Sequence, residues 1–305
     1  MKKHKIGLVL GGGGAKGAYQ AGALKAMKEA NLIKNITYVS ANSIGTINAL
    51  MFMSDKIDES YDIWLKINKK QALSLRKKTE KNPGDKFGLF SRQGIVELLK
   101  NNVDFDKVSN SKRHLYITAY NKDLEKLEYF CCDKKNQNEI ISYALASSAI
   151  PYIYAPVKID KYFYHDGYKD NVPIEILKKQ GCDIIIVMGL NPNYLPSQEI
   201  LKDIKVIDFT PPFLLGTSKF SSLDFKESNI NFRIKNGYEV AKKIIAENFS
   251  NPNSPFYHKK GVLARFKRFI FRNQYNVKGK NDFYYRLKEF QQIGKLNEKE
   301  VNKQL

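Results

Sequence analysis

Four consecutive glycines at positions 11–14 directly follow a compact apolar segment, residues 5–10. An apolar run of this length that stops at glycines is typical of a buried strand entering a tight loop. Apolar residues then recur at helical spacing between Ala18 and Met27, which predicts a helix over residues 15–31. The start of the chain therefore reads as a strand, a glycine loop and a helix.

Strand and helix patterns alternate along most of the remaining chain. Short apolar or β-branched runs predict strands at 36–40, 115–120, 126–130, 162–165, 183–188 and 205–209. Helical patterns lie at 44–53, 58–70, 94–102, 140–147 and 173–179, and residues 152–158 after Pro151 are expected to be extended. Strands that alternate with helices predict an α/β sandwich around a mostly parallel sheet.

The charge of the chain restricts the class of partner. The sequence has 51 Lys and Arg against 31 Asp and Glu, a formal net charge of +20 at pH 7. This excess favours anionic partners, and charge alone does not choose between nucleic acid and acidic lipid. Because no helix-turn-helix, zinc-finger or RNA-binding signature appears, we expect no nucleic acid partner. The three cysteines have no zinc-site spacing, so we expect neither a metal nor a disulfide framework.

The glycine run continues into a six-residue motif that fits G-x-G-x-x-G: Gly12, Gly13, Gly14, Ala15, Lys16 and Gly17. Dinucleotide-binding folds use this motif, but they also need an acidic residue about 20 positions further on to hold the ribose. Residues 41–43 are Ala-Asn-Ser instead, and Gly17 after Lys16 excludes a Walker A motif. We therefore expect no nucleotide cofactor. The loop offers backbone N–H groups at a helix N-terminus, which can hold a developing negative charge.

A second motif follows the second predicted strand and consists of Ala41, Asn42, Ser43, Ile44 and Gly45. It matches the G-x-S-x-G nucleophile elbow with Ala in place of the first Gly. Small residues two before and two after the serine let strand and helix approach closely, so the hydroxyl is exposed at the apex of the turn. The alternative interpretation is that Ser43 only caps the helix that begins at Ile44.

A serine nucleophile needs a base, which is usually histidine. None of the four histidines stands out by its position. Asp166 is the stronger candidate for the base, because Gly167 permits a tight turn directly after a predicted strand. In that position the carboxylate would contact Ser43 directly. The alternative is a turn-forming aspartate that caps local amides.

Together these motifs resemble the patatin-like phospholipases. The resemblance is carried, in the family's order and spacing, by the loop at 12–17 with its continuation 18–24, the elbow at 43–45, the stretch 146–151 and Asp166-Gly167. It covers roughly residues 5–188. It implies a three-layer α/β/α fold with a mostly parallel central sheet.

The resemblance also implies a mechanism that uses no catalytic histidine, metal or cofactor. Ser43 would attack an acyl ester of a phospholipid or lysophospholipid, and Asp166 would take its proton. The amides of three glycines would hold the tetrahedral oxyanion: Gly12, Gly13 and Gly14. Lys16 stands where the family carries Arg or Lys beside the loop. Water would then release the fatty acid from the acyl-enzyme.

Two residues depart from the family pattern. Ala41 replaces the first glycine of the elbow, and Tyr168 stands where the family usually has Gly or Ala after Asp-Gly. A phenol ring beside the base would narrow the acyl site, shift Asp166 or gate entry. The alternative to an enzyme is a catalytically silent lipid-binding or regulatory protein in which Ser43 is only structural.

We expect a catalytic domain over residues 1–250, with a motif-bearing core at about 5–190, and a basic, aromatic-rich segment at 251–305. Residues 76–85 read as a connection or lid. Residues 259–272 read as a basic amphipathic helix, either docked on the core or in contact with an anionic membrane. With neither a signal peptide nor a transmembrane run visible, we expect a cytoplasmic protein with peripheral membrane contact. The sequence leaves the oligomeric state open.

Overall fold

The computed structural model describes residues 4–67, 90–151, 153–194, 197–216 and 221–249. The chain divides into two compact units. The first consists of the chain up to Pro211 together with Leu215–Lys242, and it contains every side chain discussed below. The second consists of Pro212–Leu214 and the chain from Lys243. The segment expected at 251–305, its helix at 259–272 and the connection at 76–85 lie outside the described residues.

The described residues form one eight-stranded sheet in which hydrogen-bonded neighbours follow the path β5-β6-β3-β2-β1-β7-β8, and β4 also pairs with β3. Its strands are β1 (Ile6–Leu10), β2 (Ile36–Asn42), β3 (His114–Asn121), β4 (Lys126–Cys131), β5 (Val157–Ile159), β6 (Tyr162–Asp166), β7 (Ile184–Met188) and β8 (Lys205–Asp208). The strands β3, β2, β1, β7 and β8 are parallel to one another. The strands β4, β5 and β6 add antiparallel pairs on the β3 side. The parallel centre agrees with the apolar, β-branched sequences of these strands, which are buried on both faces.

The helices of the described residues are α1 (Ala18–Glu29), α2 (Ile44–Met53), α3 (Ile57–Lys66), α4 (Gln93–Asn102), α5 (Phe105–Ser109), α6 (Gln137–Ser147), α7 (Ile174–Lys179), α8 (Gln198–Leu201) and α9 (Glu227–Phe249). The helix predicted over 15–31 begins only at Ala18, because Gly14–Gly17 form a 3₁₀ turn. The long helix α9 was not predicted, although its apolar residues recur at helical spacing. The extended segment predicted at 152–158 is described over residues 153–158, and in that part only the end lies in a strand, β5.

Helices cover both faces of the sheet. On one face, Val9 of β1 packs with Ile185 of β7 against Leu177 of α7. Leu8 and Leu10 of β1 point to the other face, as alternation along a strand requires, and they are fully buried as well. A separate apolar cluster joins α1, α3 and α9 through a set of residues that includes Ala18, Ala21, Trp64, Ile230 and Ile234. The result is the three-layer α/β/α architecture expected from the sequence.

Candidate active site

Two strands run toward each other along one edge of β3. β2 is parallel to β3, and its last residue, Asn42, pairs with Thr118. β6 is antiparallel to β3, and its last residue, Asp166, pairs with Ala119. Because β4 occupies the other edge of β3, β2 and β6 share the remaining edge and their carboxyl ends meet there. This register brings Ser43, the residue after Asn42, next to Asp166.

Ser43 forms the sharp turn between β2 and α2. Its backbone has φ 54° and ψ −127°, a conformation that costs a residue with a Cβ about 1–3 kcal/mol. Its amide donates to Oγ of Ser147 at 2.9 Å, which holds the turn in place. The residue occupies the N-cap position of α2, yet its side chain makes no capping hydrogen bond within the described residues. The helix-cap interpretation of Ser43 therefore does not describe what its hydroxyl does.

The hydroxyl of Ser43 instead lies close enough to the carboxylate of Asp166 to favour its charged form. Both residues are almost fully buried, with exposed fractions of 5% and 4%. Burial raises the pKa of Asp166 to about 6, against the opposing effect of hydrogen bonds from Ser43, the Asn42 side chain and the Tyr168 amide. A carboxylate with this pKa, in contact with a hydroxyl, has the properties of a general base at neutral pH. The turn interpretation of Asp166 accounts only for the Tyr168 amide.

The glycine loop lies directly beside Ser43. A Cβ placed on Gly12 would lie 3.0 Å from Cβ of Ser43 and 2.3 Å from Oδ1 of Asn171, so only glycine fits there. Asn171 binds Gly12 twice. Its backbone carbonyl accepts from the Gly12 amide, and its side-chain Nδ2 donates to the Gly12 carbonyl, each at 3.1 Å. The Gly12 amide is therefore already occupied. Within the described ranges, no acceptor binds the amides of Gly13 and Gly14.

A chain of buried amides fixes the other side of the loop. Nε2 of Gln20 donates to the carbonyls of Gly11 and Met188, each at 2.9 Å. Its oxygen accepts from Nδ2 of Asn48 at 2.9 Å, and Oδ1 of Asn48 accepts from Nε1 of Trp64 at 2.9 Å. These hydrogen-bonded amide side chains were not predicted from the sequence. The signal that could have predicted them is a single amide residue in each helix, Gln20 in α1 and Asn48 in α2, among neighbours typical of a buried helix.

Lys16 lies beside the loop and is half-buried. Its pKa is lowered, first by burial and then by the charge of Arg233. Arg233 of α9 is 1% exposed, and its guanidinium donates to the carbonyls of Leu215, Ser221 and Asp224 at 3.0, 3.1 and 2.7 Å. These bonds tie the chain before α9 to the helix, so the positive charge near Lys16 is held in a fixed position.

The two departures from the family pattern have clear positions. Ala41 is fully buried within β2, so its methyl group is part of the core. The ring of Tyr168 stacks on His165 at a centroid distance of 5.8 Å and is 54% exposed. Because successive residues of a strand point to opposite faces, His165 and the ring stacked on it lie away from the carboxylate of Asp166. The ring therefore does not lie between Ser43 and Asp166.

Within the ranges that the structure describes, no group of three or more His, Cys, Asp or Glu side chains could hold a metal ion. The three cysteines are free. Over the same ranges, no helix has the length and apolar character needed to cross a bilayer.

Solved structures that this chain resembles include VipD from Legionella pneumophila, with a TM-score of 0.44 and 14% identity over 80% of this chain and 67% of that chain. The type III effector protein ExoU matches with a TM-score of 0.42 and 13% identity over 80% of this chain and 53% of that chain.

Sequence relatives are more informative. The chain is 29% identical over 211 residues to a protein named probable lipid hydrolase 463L from Invertebrate iridescent virus 6, covering 63% of this chain and 72% of that protein. It is 26% identical over 199 residues to lysophospholipase nte1 from Aspergillus terreus (strain NIH 2624 / FGSC A1156), covering 61% of this chain but only 12% of that longer protein. The model of the patatin-like phospholipase family matches residues 8–178, more than half of the sequence. This chain therefore belongs to the patatin-like phospholipase family.

Proposed function

We propose that this chain is a lipid acyl hydrolase that cleaves carboxylic-ester bonds of phospholipids or lysophospholipids, with Ser43 as nucleophile and Asp166 as base. The observation that carries the proposal is that two buried side chains meet at the adjoining ends of β2 and β6, where the Ser43 hydroxyl lies close enough to the Asp166 carboxylate to favour its charged form. Family membership and the printed names of the two sequence relatives support a lipid ester as substrate.

In the first half of the reaction, Oγ of Ser43 attacks the acyl carbonyl carbon while Asp166 takes the hydroxyl proton. The oxyanion of the tetrahedral intermediate accepts hydrogen bonds from the amides of Gly13 and Gly14. Gly12 acts through the shape of the loop, since its own amide donates to Asn171. The intermediate collapses to an acyl-enzyme, and the proton on Asp166 passes to the departing alcohol oxygen.

In the second half, water attacks the acyl carbon and gives a proton to Asp166. Collapse of the second tetrahedral intermediate breaks the bond to Oγ of Ser43. The proton returns to Oγ, and the fatty acid leaves. Each residue ends the cycle in its starting state, so two side chains and the loop amides are sufficient for the chemistry.

The expected surface of action is an anionic membrane. A net charge of +20 attracts acidic headgroups, and salt screens this attraction over roughly 10 Å at about 0.1 M ionic strength. We expect faster hydrolysis on vesicles that contain phosphatidylserine than on pure phosphatidylcholine vesicles. Added salt should reduce this difference without changing hydrolysis of a soluble ester.

The test combines product release with labelling of the serine. Wild type, Ser43→Ala and the control Ser142→Ala are incubated with phospholipid and lysophospholipid vesicles, and separately with a fluorophosphonate. Ser142 is a suitable control because its exposed hydroxyl binds only a carbonyl of its own helix. We expect fatty-acid release and labelling in wild type and Ser142→Ala, and neither in Ser43→Ala. Equal release by wild type and Ser43→Ala would overturn the proposal, and an unlabelled wild type would favour the silent lipid-binding alternative.

A further inference from the structure

The side chain of Asn42 is fully buried and touches three different parts of the site. Its Nδ2 lies 3.3 Å from Oδ1 of Asp166 and 3.1 Å from Oδ1 of Asn171. Its Oδ1 accepts from the hydroxyl of Ser147 at 3.4 Å. A primary amide has two protons and one oxygen, so every polar group of this side chain is engaged.

Each partner of Asn42 controls a separate element of the site. The carboxylate of Asp166 lies beside the Ser43 hydroxyl, which favours its charged form. Ser147 accepts the amide of Ser43 and so fixes the strained turn. Asn171 binds both polar groups of the Gly12 backbone. The side chain of Asn42 is therefore directly hydrogen-bonded to Asp166, to the group that holds the nucleophile turn and to the group that holds the glycine loop.

The site has room and polarity for an amide of this length only. Gly167 passes directly over it, since a Cβ on Gly167 would lie 2.6 Å from Oδ1 of Asn42. An aspartate has the same shape, but it would put an acceptor oxygen in the place of the donor Nδ2. That oxygen would face two other acceptors, Oδ1 of Asp166 and Oδ1 of Asn171. A leucine of similar volume would leave Asp166, Asn171 and Ser147 without one partner each, which is costly for buried polar groups.

We infer that Asn42 is a positioning residue that sets the base, the nucleophile turn and the glycine loop in register with one another. The inference rests on the proposed function, because it assigns Asn42 a role in the same reaction. It adds that the mutual geometry of Ser43 and Asp166 depends on a third side chain, the amide of Asn42.

The test uses Asn42→Leu and Asn42→Asp, with Thr118→Val as the matched control. Thr118 pairs with Asn42 in the sheet and is equally buried, but its hydroxyl has no hydrogen-bond partner among the described residues. The primary measurement is the titration of the Asp166 carboxyl by carbon-13 NMR, assigned by loss of the signal in Asp166→Asn. The second is the pH dependence of kcat/KM for a soluble ester.

We expect the Asp166 titration midpoint to rise by about one pH unit in Asn42→Leu, since a donor to the charged form is lost. It should rise further in Asn42→Asp, where a second carboxyl lies against it. The acid limb of kcat/KM should follow these shifts, and kcat on its plateau should fall about tenfold or more because the base is no longer held in place. Thr118→Val should keep the wild-type midpoints.

An unchanged Asp166 midpoint in either folded Asn42 variant would overturn the inference. Asn42→Asp preserves the shape of the side chain, so it serves if Asn42→Leu fails to fold. The NMR measurement needs no catalysis and therefore separates the two claims. Wild type without Ser43-dependent hydrolysis refutes the proposed function, whereas an active wild type with unshifted variants refutes only the role of Asn42.

Discussion

Asn42 and Asp166 are the last residues of two strands that approach each other end to end along one edge of β3. Nδ2 of Asn42 lies 3.3 Å from Oδ1 of Asp166, and the residue after Asn42 is Ser43. Because both strands end there, the turns at Ser43 and Asp166 do not need the backbone angles of a strand. The paired strands nevertheless hold these turns in position. The geometry of the proposed reaction is thus a consequence of sheet register.

The pH dependence of hydrolysis should report the ionisation of Asp166. Burial raises its pKa to about 6, and a base must be unprotonated, so activity should be full above this pH and lost below it. We expect the acid limb of kcat/KM for a soluble ester to have its midpoint at about pH 6. A midpoint near 4 would mean that the carboxyl is not desolvated in the free enzyme.

Asp166→Asn should abolish hydrolysis and stabilise the fold at neutral pH. The pKa of Asp166 rises from 3.8 in the unfolded chain to about 6 in the fold, so its ionised form is destabilising above pH 6. The shift of about two pKa units corresponds to about 3 kcal/mol in the free energy of unfolding. The gain should be mostly lost at pH 4, and it should vanish well below pH 3.8, where the carboxyl is neutral in both states.

This change in stability is measured by denaturant unfolding of wild type and Asp166→Asn at pH 8 and pH 4. The control is Asp62→Asn, which removes the same charge from an exposed position on α3. A gain that is equal at both pH values would contradict the assigned cause. So would an equal gain in Asp62→Asn.

The backbone of Ser43 stores strain that glycine would relieve. With φ at 54° and ψ at −127°, Ser43→Ala keeps the unfavourable conformation, whereas Ser43→Gly adopts it freely. We expect Ser43→Gly to unfold with a free energy about 1 kcal/mol higher than Ser43→Ala. The control pair at Ser142, in the middle of α6, should show the opposite order because glycine weakens a helix. Thermal unfolding of the four variants decides the matter, and the same order at both positions would argue against strain.

The ring and the amide of Tyr168 should have separable effects. The ring stacks on His165, so Tyr168→Ala should hydrolyse a soluble ester within about twofold of wild type. The amide of Tyr168 favours the charged form of Asp166, and Tyr168→Pro removes this N–H group at the start of a short helical turn. Its acid limb should move up by about one pH unit. A large loss of rate in Tyr168→Ala would instead mean that the ring contacts substrate.

Local sequence was sufficient for the elements that carry the site. The glycine run after an apolar strand, the small residues flanking Ser43 and the Asp166-Gly167 pair each reflect a steric requirement within a few residues, so spacing alone revealed them. The parallel strands were equally readable from their apolar character. The helix α9 was not predicted, although its apolar residues recur at helical spacing.

Tertiary structure decided which of these elements meet. Oδ1 of Asn171 lies against Asn42 although 129 positions separate them, and Asn171 binds Gly12 across 159 positions. These contacts depend on β6 pairing antiparallel to β3 on the edge that β2 also uses, and no local pattern specifies that choice. The sequence therefore determined the serine turn, the aspartate turn and the glycine loop. Strand register, which arises from packing across the whole sheet, decided that the Gly12 amide is occupied and that one buried asparagine lies between the base and the loop.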